Sequence, residues 1–173
     1  MKLKMIGRKL TLFYRLLERL AAICFNILNI LLAGNLPPFG SICLVVEEQG
    51  RYLVIERPSG FFVFPGGFMR WHEYPTQTAQ REGREETGLE LCIGDVVNIY
   101  PNPSVHIFRM STLTICYTAK VIGGELQKSV EGQPHWLNEV EIRSRMHSFF
   151  RKMLDDYLQY RSERAQSEVS EGE

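Results

Sequence analysis

Between Gly67 and Leu89 the chain sets glycine, acid and base at fixed intervals. Gly67 is followed after five residues by Glu73, after seven more by Arg81-Glu82, then by Glu85-Glu86, Gly88 and Leu89. Pro75 suits the first turn of a helix and Gly88 the position just past its end, so the spacing predicts a helix over about 74–87. On such a helix Glu82, Glu85 and Glu86 stand at i, i+3 and i+4 and share one face. Carboxylates on adjacent turns raise one another's proton affinity unless a cation intervenes. Hard oxygen donors in that number suit Mg²⁺ or Mn²⁺ better than zinc. The competing reading is a solvated acidic face.

The flanking pattern limits what this helix can belong to. "SICLVVEE", "RYLVIER" and "FFVF" are β-branched and aromatic runs separated by "QG" and "PSG", and they read as strands joined by turns. "LELCIGDVVNIY", "SVHIFRM" and "STLTICYTAKV" also read as strands, and residues 141–160 carry apolar side chains at helical spacing. Strands with a helix between them and a closing helix imply an α/β domain with a mixed sheet flanked by helices. With 20 basic and 20 acidic residues the formal net charge is zero, so global charge gives no reason to expect nucleic-acid binding. Cys24, Cys43, Cys92 and Cys116 form no CxxC pair and lie in apolar runs, which reads as buried reduced thiols.

Residues 1–38 differ from the rest. They begin basic, become strongly apolar, and stop at Gly34 and Pro37-Pro38. No signal-peptidase-like site follows, and the apolar run from Leu20 to Ala33 is shorter than the ~18 residues of a membrane span. Thr11, Arg15, Glu18, Ala22, Asn26, Asn29 and Ala33 recur at spacings of three and four, one narrow polar or small stripe on a long helix. The remaining circumference must be covered by the chain's own domain, a second subunit or a lipid interface. A homodimer ranks first here and peripheral membrane contact second.

The interval from Gly67 to Leu89, preceded by "FPGG", closely resembles the Nudix box, G-x5-E-x7-R-E-U-x-E-E-x-G-U, where U is a bulky aliphatic residue. Two positions depart from it: Gly83 stands at an aliphatic position, and His72 where relatives often carry glycine. The resemblance implies a Nudix-fold α/β/α sandwich over 39–160; it does not cover residues 1–38, which periodicity reads as a helical extension, or 161–173, which composition reads as a polar, disordered tail. It further implies that Glu82, Glu85 and Glu86 hold Mg²⁺ or Mn²⁺, with Glu131 of "VEGQPHW" completing the set. Glu73 and Arg81 would brace the loop and helix, and Gly67 would let backbone approach metal and phosphate. Glu86 or Glu82 would serve as general base, and Arg57 would contact phosphate.

The activity implied is hydrolysis of the diphosphate linkage in a nucleoside diphosphate joined to another group. Pro103, in "YPNPSVH", resembles the Pro-containing loop of ADP-ribose pyrophosphatases and points to an ADP-ribose-like substrate. Nucleoside triphosphates and dinucleoside polyphosphates stay open as substrates, and so does a non-catalytic nucleotide-sugar-sensing module. The partners expected are a small nucleotide and no nucleic acid, in the cytoplasm.

Overall fold

Along the chain run α1 (Lys2–Leu31), β1 (Phe39–Glu48), β2 (Arg51–Glu56), β3 (Phe62–Val63), β4 (Gly66–Phe68), α2 (Pro75–Thr87), β5 (Leu89–Asn102), β6 (Thr112–Gly124), β7 (Gln133–Asn138), α3 (Glu139–Arg145) and α4 (Ser148–Ser170). The computed structural model describes residues 2–104 and 106–170, without the side chains of 2–15, 18, 168 and 169. Two units result. One comprises Met1–Phe39 with Pro101–Leu113, the other Gly40–Tyr100 with Thr114–Glu173.

The larger unit is built on a seven-stranded mixed sheet of order β3-β2-β1-β6-β5, with β4 added to β1 and β7 to β2. Strand β1 explains its layering. The continuous apolar run Ile42–Val46 is buried on both faces, as a central strand covered twice requires. Cys43 and Val45 meet Tyr52, Val54, Met153, Leu154 and Tyr157 in one core. Ile42, Leu44 and Val46 point the other way and meet Leu53, Ala79, Leu89 and Leu91 in a second. Helices α4 and α2 therefore cover opposite faces of the sheet. Leu44, Leu53 and Leu154 are fully buried, each contributing about 1.5–3 kcal/mol of hydrophobic stabilisation.

Several local expectations change. Helix α2 starts at Pro75 and ends on Gly88, whose φ of 77° is the left-handed conformation that glycine favours. The single closing helix is two: Met146 is extended and bridges Phe62 between α3 and α4. Asn138 starts α3 as a capping box, accepting from Glu141 N at 3.0 Å while Glu141 accepts from Asn138 N at 2.9 Å. Among its described residues, "SVHIFRM" forms no strand; Ser104 and Ser111 instead close a loop between β5 and β6.

The polar tail expected from residue 161 is helical to Ser170. Arg161 pairs with Glu47 at 2.6 Å, Arg164 with Asp95, and Gln159 Nε2 donates to Glu163 at 2.7 Å. Partners far away in sequence hold turns that their composition alone would leave unfolded. Of the four cysteines, all unpaired, Cys43 and Cys116 are buried, but Cys24 and Cys92 are exposed.

In the smaller unit, α1 turns Asn26 and Asn29 to its own unit, and Ala22 is buried. Ala22 is 2% exposed, Asn26 Nδ2 donates to the carbonyls of Ile107 and Arg109 at 2.8 and 3.0 Å, and Asn29 Oδ1 accepts from Leu36 N at 3.0 Å. Thr11, Arg15 and Glu18 of the same expected stripe have side chains outside the described residues.

Candidate active site

The site grows from the β4 glycines. Gly66 and Gly67 pair with Cys43 and Ile42 of β1, which pins the loop to the central strand. A Cβ at Gly67 would lie 2.4 Å from Glu82 Oε1, so any side chain there would push the Glu82 carboxylate out of its place. On α2 the three glutamates are not equivalent. Glu82 and Glu86 are buried, 8% and 1% exposed, whereas Glu85 lies at the exposed edge of the helix.

Arg81 holds the loop and the helix together. Its Nε and Nη2 donate to Glu73 Oε1 and Oε2 at 2.6 and 2.8 Å, a bidentate pair. Nη1 donates to Glu82 at 2.6 Å and Glu85 at 3.2 Å, and Nη2 also reaches the Phe68 carbonyl at 3.1 Å. Glu73 accepts further bonds from Arg70 N at 3.0 Å and Thr78 Oγ1 at 2.8 Å. The Arg81 guanidinium first, with these donors, holds the Glu73 carboxyl down at about 2.

A second cluster forms around Glu86. Its Oε2 accepts from Gly66 N at 2.8 Å and its Oε1 from Arg57 Nη2 at 3.2 Å. Arg57 Nη1 also pairs with Glu131, so the turn before β7 brings Glu131 to the site. Burial pushes Glu86 up to about 8, helped by its hydrogen bond with Glu131 and opposed by Gly66 N–H and Arg57. Burial pushes Glu131 up as well, but the bonds with Glu86 and Arg57 outweigh it and the net direction is down. The pair thus holds one proton, on Glu86. Glu82 is also raised, by burial, against the pull of Arg81.

Two buried carboxylates with raised proton affinity are what a cation site shows before the cation arrives. Among the described residues no three acidic, histidine or cysteine side chains already converge as a ligand set. Instead Arg57 stands between Glu86 and Glu131, and Arg81 beside Glu82 and Glu85. The donor chemistry fits a hard divalent ion.

This proton on Glu86 makes stability depend on pH. A carboxyl raised on folding adds stability that is complete below the unfolded value of about 4. That stability is lost as pH rises through about 8. The Tm of the metal-free protein should therefore fall between about pH 5 and pH 8, other groups held equal. Adding Mg²⁺ should raise Tm more at about pH 8 than at about pH 6, because the ion competes with that proton. A Mg²⁺ effect independent of pH would show that Glu86 is not a ligand.

Next to Arg57, Gly66 and Gly67 lies a recess of about 150 Å³ lined by Ser41, Thr114, Phe64, Phe149 and Phe150. Neither Phe149-Phe150 nor Ser41 and Thr114 was legible as site-forming. The first pair reads as helix core, and the hydroxyls, 2.7 Å apart, come from strands distant in sequence. Of the other aromatics, Phe62 and Tyr100 are core residues, and Phe61 is half exposed. Pro103 belongs to the smaller unit, where it lines a cavity with Phe25, Asn29 and Pro37. Gly83 faces the sheet. A Cβ there would lie 2.6 Å from Leu91 Cδ1 and 3.3 Å from Leu44 Cδ1, so the missing side chain makes room for Leu91.

This combination of a glycine turn on the central strand, a glutamate-rich helix and a sheet covered on both faces defines a Nudix fold and site. The NUDIX domain family matches residues 37–157, and the chain belongs to that family as a Nudix hydrolase. It is 25% identical over 122 residues to the ADP-ribose pyrophosphatase of Methanocaldococcus jannaschii, covering 68% of this chain and 72% of the relative. With a MutT-like protein of Streptomyces ambofaciens it shares 31% identity over 127 residues, 70% of this chain and 79% of that one. Among solved structures, a NUDIX hydrolase from Nitrosomonas europaea superposes with a TM-score of 0.64 at 23% identity, over 71% of this chain and 90% of that one. The NUDIX domain of Shewanella oneidensis NrtR, solved with ADP ribose, superposes with 0.60 at 17% identity, over 74% and 91%.

Proposed function

We propose that this chain hydrolyses the diphosphate linkage of a nucleoside diphosphate joined to a second group, with ADP-ribose or a close relative preferred. The observation carrying the reading is Glu86, buried at the meeting point of Gly66 N–H, Arg57 and Glu131. Glu82, Glu85, Glu86 and Glu131 would hold Mg²⁺ or Mn²⁺, which supplies positive charge against the diphosphate and acidifies water.

The chain's own residues do the rest. Glu86, in the carboxylate form that a held cation would favour, takes the proton from the attacking water as its oxygen bonds to phosphorus and the bridging P–O bond breaks. Glu82, its proton affinity also raised, is the second candidate for that role. Arg57, at the mouth of the site, can turn from the carboxylates to a phosphate oxygen. Gly67 leaves room for the diphosphate beside Glu82, and Arg81 with Glu73 keeps the glutamates oriented. Phe149 and Phe150 offer an aromatic wall to a nucleobase. Four cysteines with no disulfide among them suit a cytoplasmic setting.

The preference for ADP-ribose rests on the names of relatives and on Pro103. A substrate panel with Mg²⁺ should give the highest kcat/KM for ADP-ribose among nucleotide sugars, dinucleoside polyphosphates, NADH and nucleoside triphosphates. Preference for triphosphates would reject that choice of substrate. If ADP-ribose raises Tm but nothing in the panel turns over, the non-catalytic sensing reading replaces hydrolysis.

A further inference from the structure

Helix α1 is inverted relative to a helix on a globular surface. Ala22 is buried, Asn26 and Asn29 bond within their own unit, and Phe25 is its apolar contact there, packed on Phe39. Its apolar side is left outside: Leu16, Leu20, Ile27, Ile30 and Leu31 are 46% exposed or more, up to 75% for Leu31. Leu16, Leu20, Ile27 and Leu31 follow one another at four, seven and four residues, with Ile30 beside them, and form one stripe on the side away from Ala22 and Asn29. An apolar surface of this size is not left to water without a use.

Charge decides what covers it. Residues 1–38 carry six basic side chains (Lys2, Lys4, Arg8, Lys9, Arg15 and Arg19) against the single acid Glu18. That segment is formally +5 and the remainder of the chain −5. Parallel pairing of two copies of α1 through the apolar stripe would bring two such segments together, and like charges oppose it; antiparallel pairing would separate them but leave each basic segment without an opposite charge. An anionic lipid surface offers apolar cover and opposite charge at once. Among the described residues no helix is long and apolar enough to cross a membrane, which leaves a helix lying in the interface plane.

We infer that α1 docks the protein on an anionic membrane surface, burying the Leu16–Leu31 stripe among acyl chains while the basic N-terminal residues meet lipid phosphates. The inference is independent of the substrate reading, because none of these residues belongs to the hydrolase site.

The test is co-sedimentation of the full chain with vesicles of phosphatidylcholine alone and of phosphatidylcholine mixed with phosphatidylglycerol. Binding to the mixed vesicles should be stronger by more than about tenfold and weaken as salt is raised. A Leu20→Glu/Ile27→Glu variant should lose more than about tenfold in binding while keeping hydrolysis of the soluble substrate, which certifies its fold. A second variant, with Lys2, Lys4, Arg8 and Lys9 changed to Gln, leaves the stripe intact and should lose the preference for the anionic vesicles. Equal partition into both vesicle types would overturn the inference. So would the absence of vesicle binding in a protein whose light-scattering mass is a dimer that Leu20→Glu/Ile27→Glu dissociates; a second copy would then cover the stripe.

Discussion

Changing Glu86 to Gln should lower kcat by about 10²–10⁴-fold with Mg²⁺ saturating, the range expected for a lost general base. The fold should survive it. Glu86 is 1% exposed and already favours its protonated form, which Gln imitates in shape and charge. Its amide still offers an oxygen to the Gly66 N–H, now 2.8 Å from the carboxylate. The metal-free variant should therefore melt higher than the parent at about pH 8, where the parent must bury a charge, and nearly level with it at about pH 5. Loss of activity with gain of stability at the alkaline end is the signature of a functional buried carboxylate. Turnover near that of the parent would refute the assigned role. Lower turnover with lower stability at every pH would place Glu86 in the scaffold.

Gly83→Leu should destabilise the fold by about 1–3 kcal/mol through overpacking. Helix propensity argues the other way, since replacing a mid-helix glycine gains up to about 1 kcal/mol. Packing outweighs it here because a Cβ at this position already approaches Leu91 Cδ1 to 2.6 Å, and the rest of a leucine has only the sheet ahead of it. Gly83→Ala separates the terms: the Leu91 side chain can shift, so its cost should be well below that of leucine. Urea unfolding of the two variants measures both. A neutral or stabilising Gly83→Leu would mean that the glycine is merely tolerated.

How far the site was legible follows from how each residue reaches it. Glu82, Glu85, Glu86, Arg81 and Glu73 lie within one loop and helix, so their approach depends on helical spacing and could be read in order along the chain. Arg57 and Glu131 arrive from other turns; the resemblance named them, but only the fold shows both meeting Glu86. Phe149-Phe150 and the Ser41–Thr114 pair carried no signal, because the aromatics read as one more apolar turn and the hydroxyls are 73 positions apart. Met146 broke the closing helix because it bridges Phe62, a tertiary contact without a local marker.

The sequence by itself determined helix α2, its ends and its acidic residues, since Pro75, Gly88 and the spacing of the glutamates act within a few residues of one another. It also determined that residues 1–38 carry a polar stripe and a broad apolar side, because helical periodicity is local. Only the tertiary structure decided which side faces inward. Asn26 finds the carbonyls of Ile107 and Arg109, more than eighty residues away, and those bonds turn the polar stripe toward the protein and the leucines toward the outside. It likewise decided that Gly83 admits Leu91 and that residues 161–170 are helical. Each of these depends on a partner distant in the chain, and local propensity holds no information about such a partner.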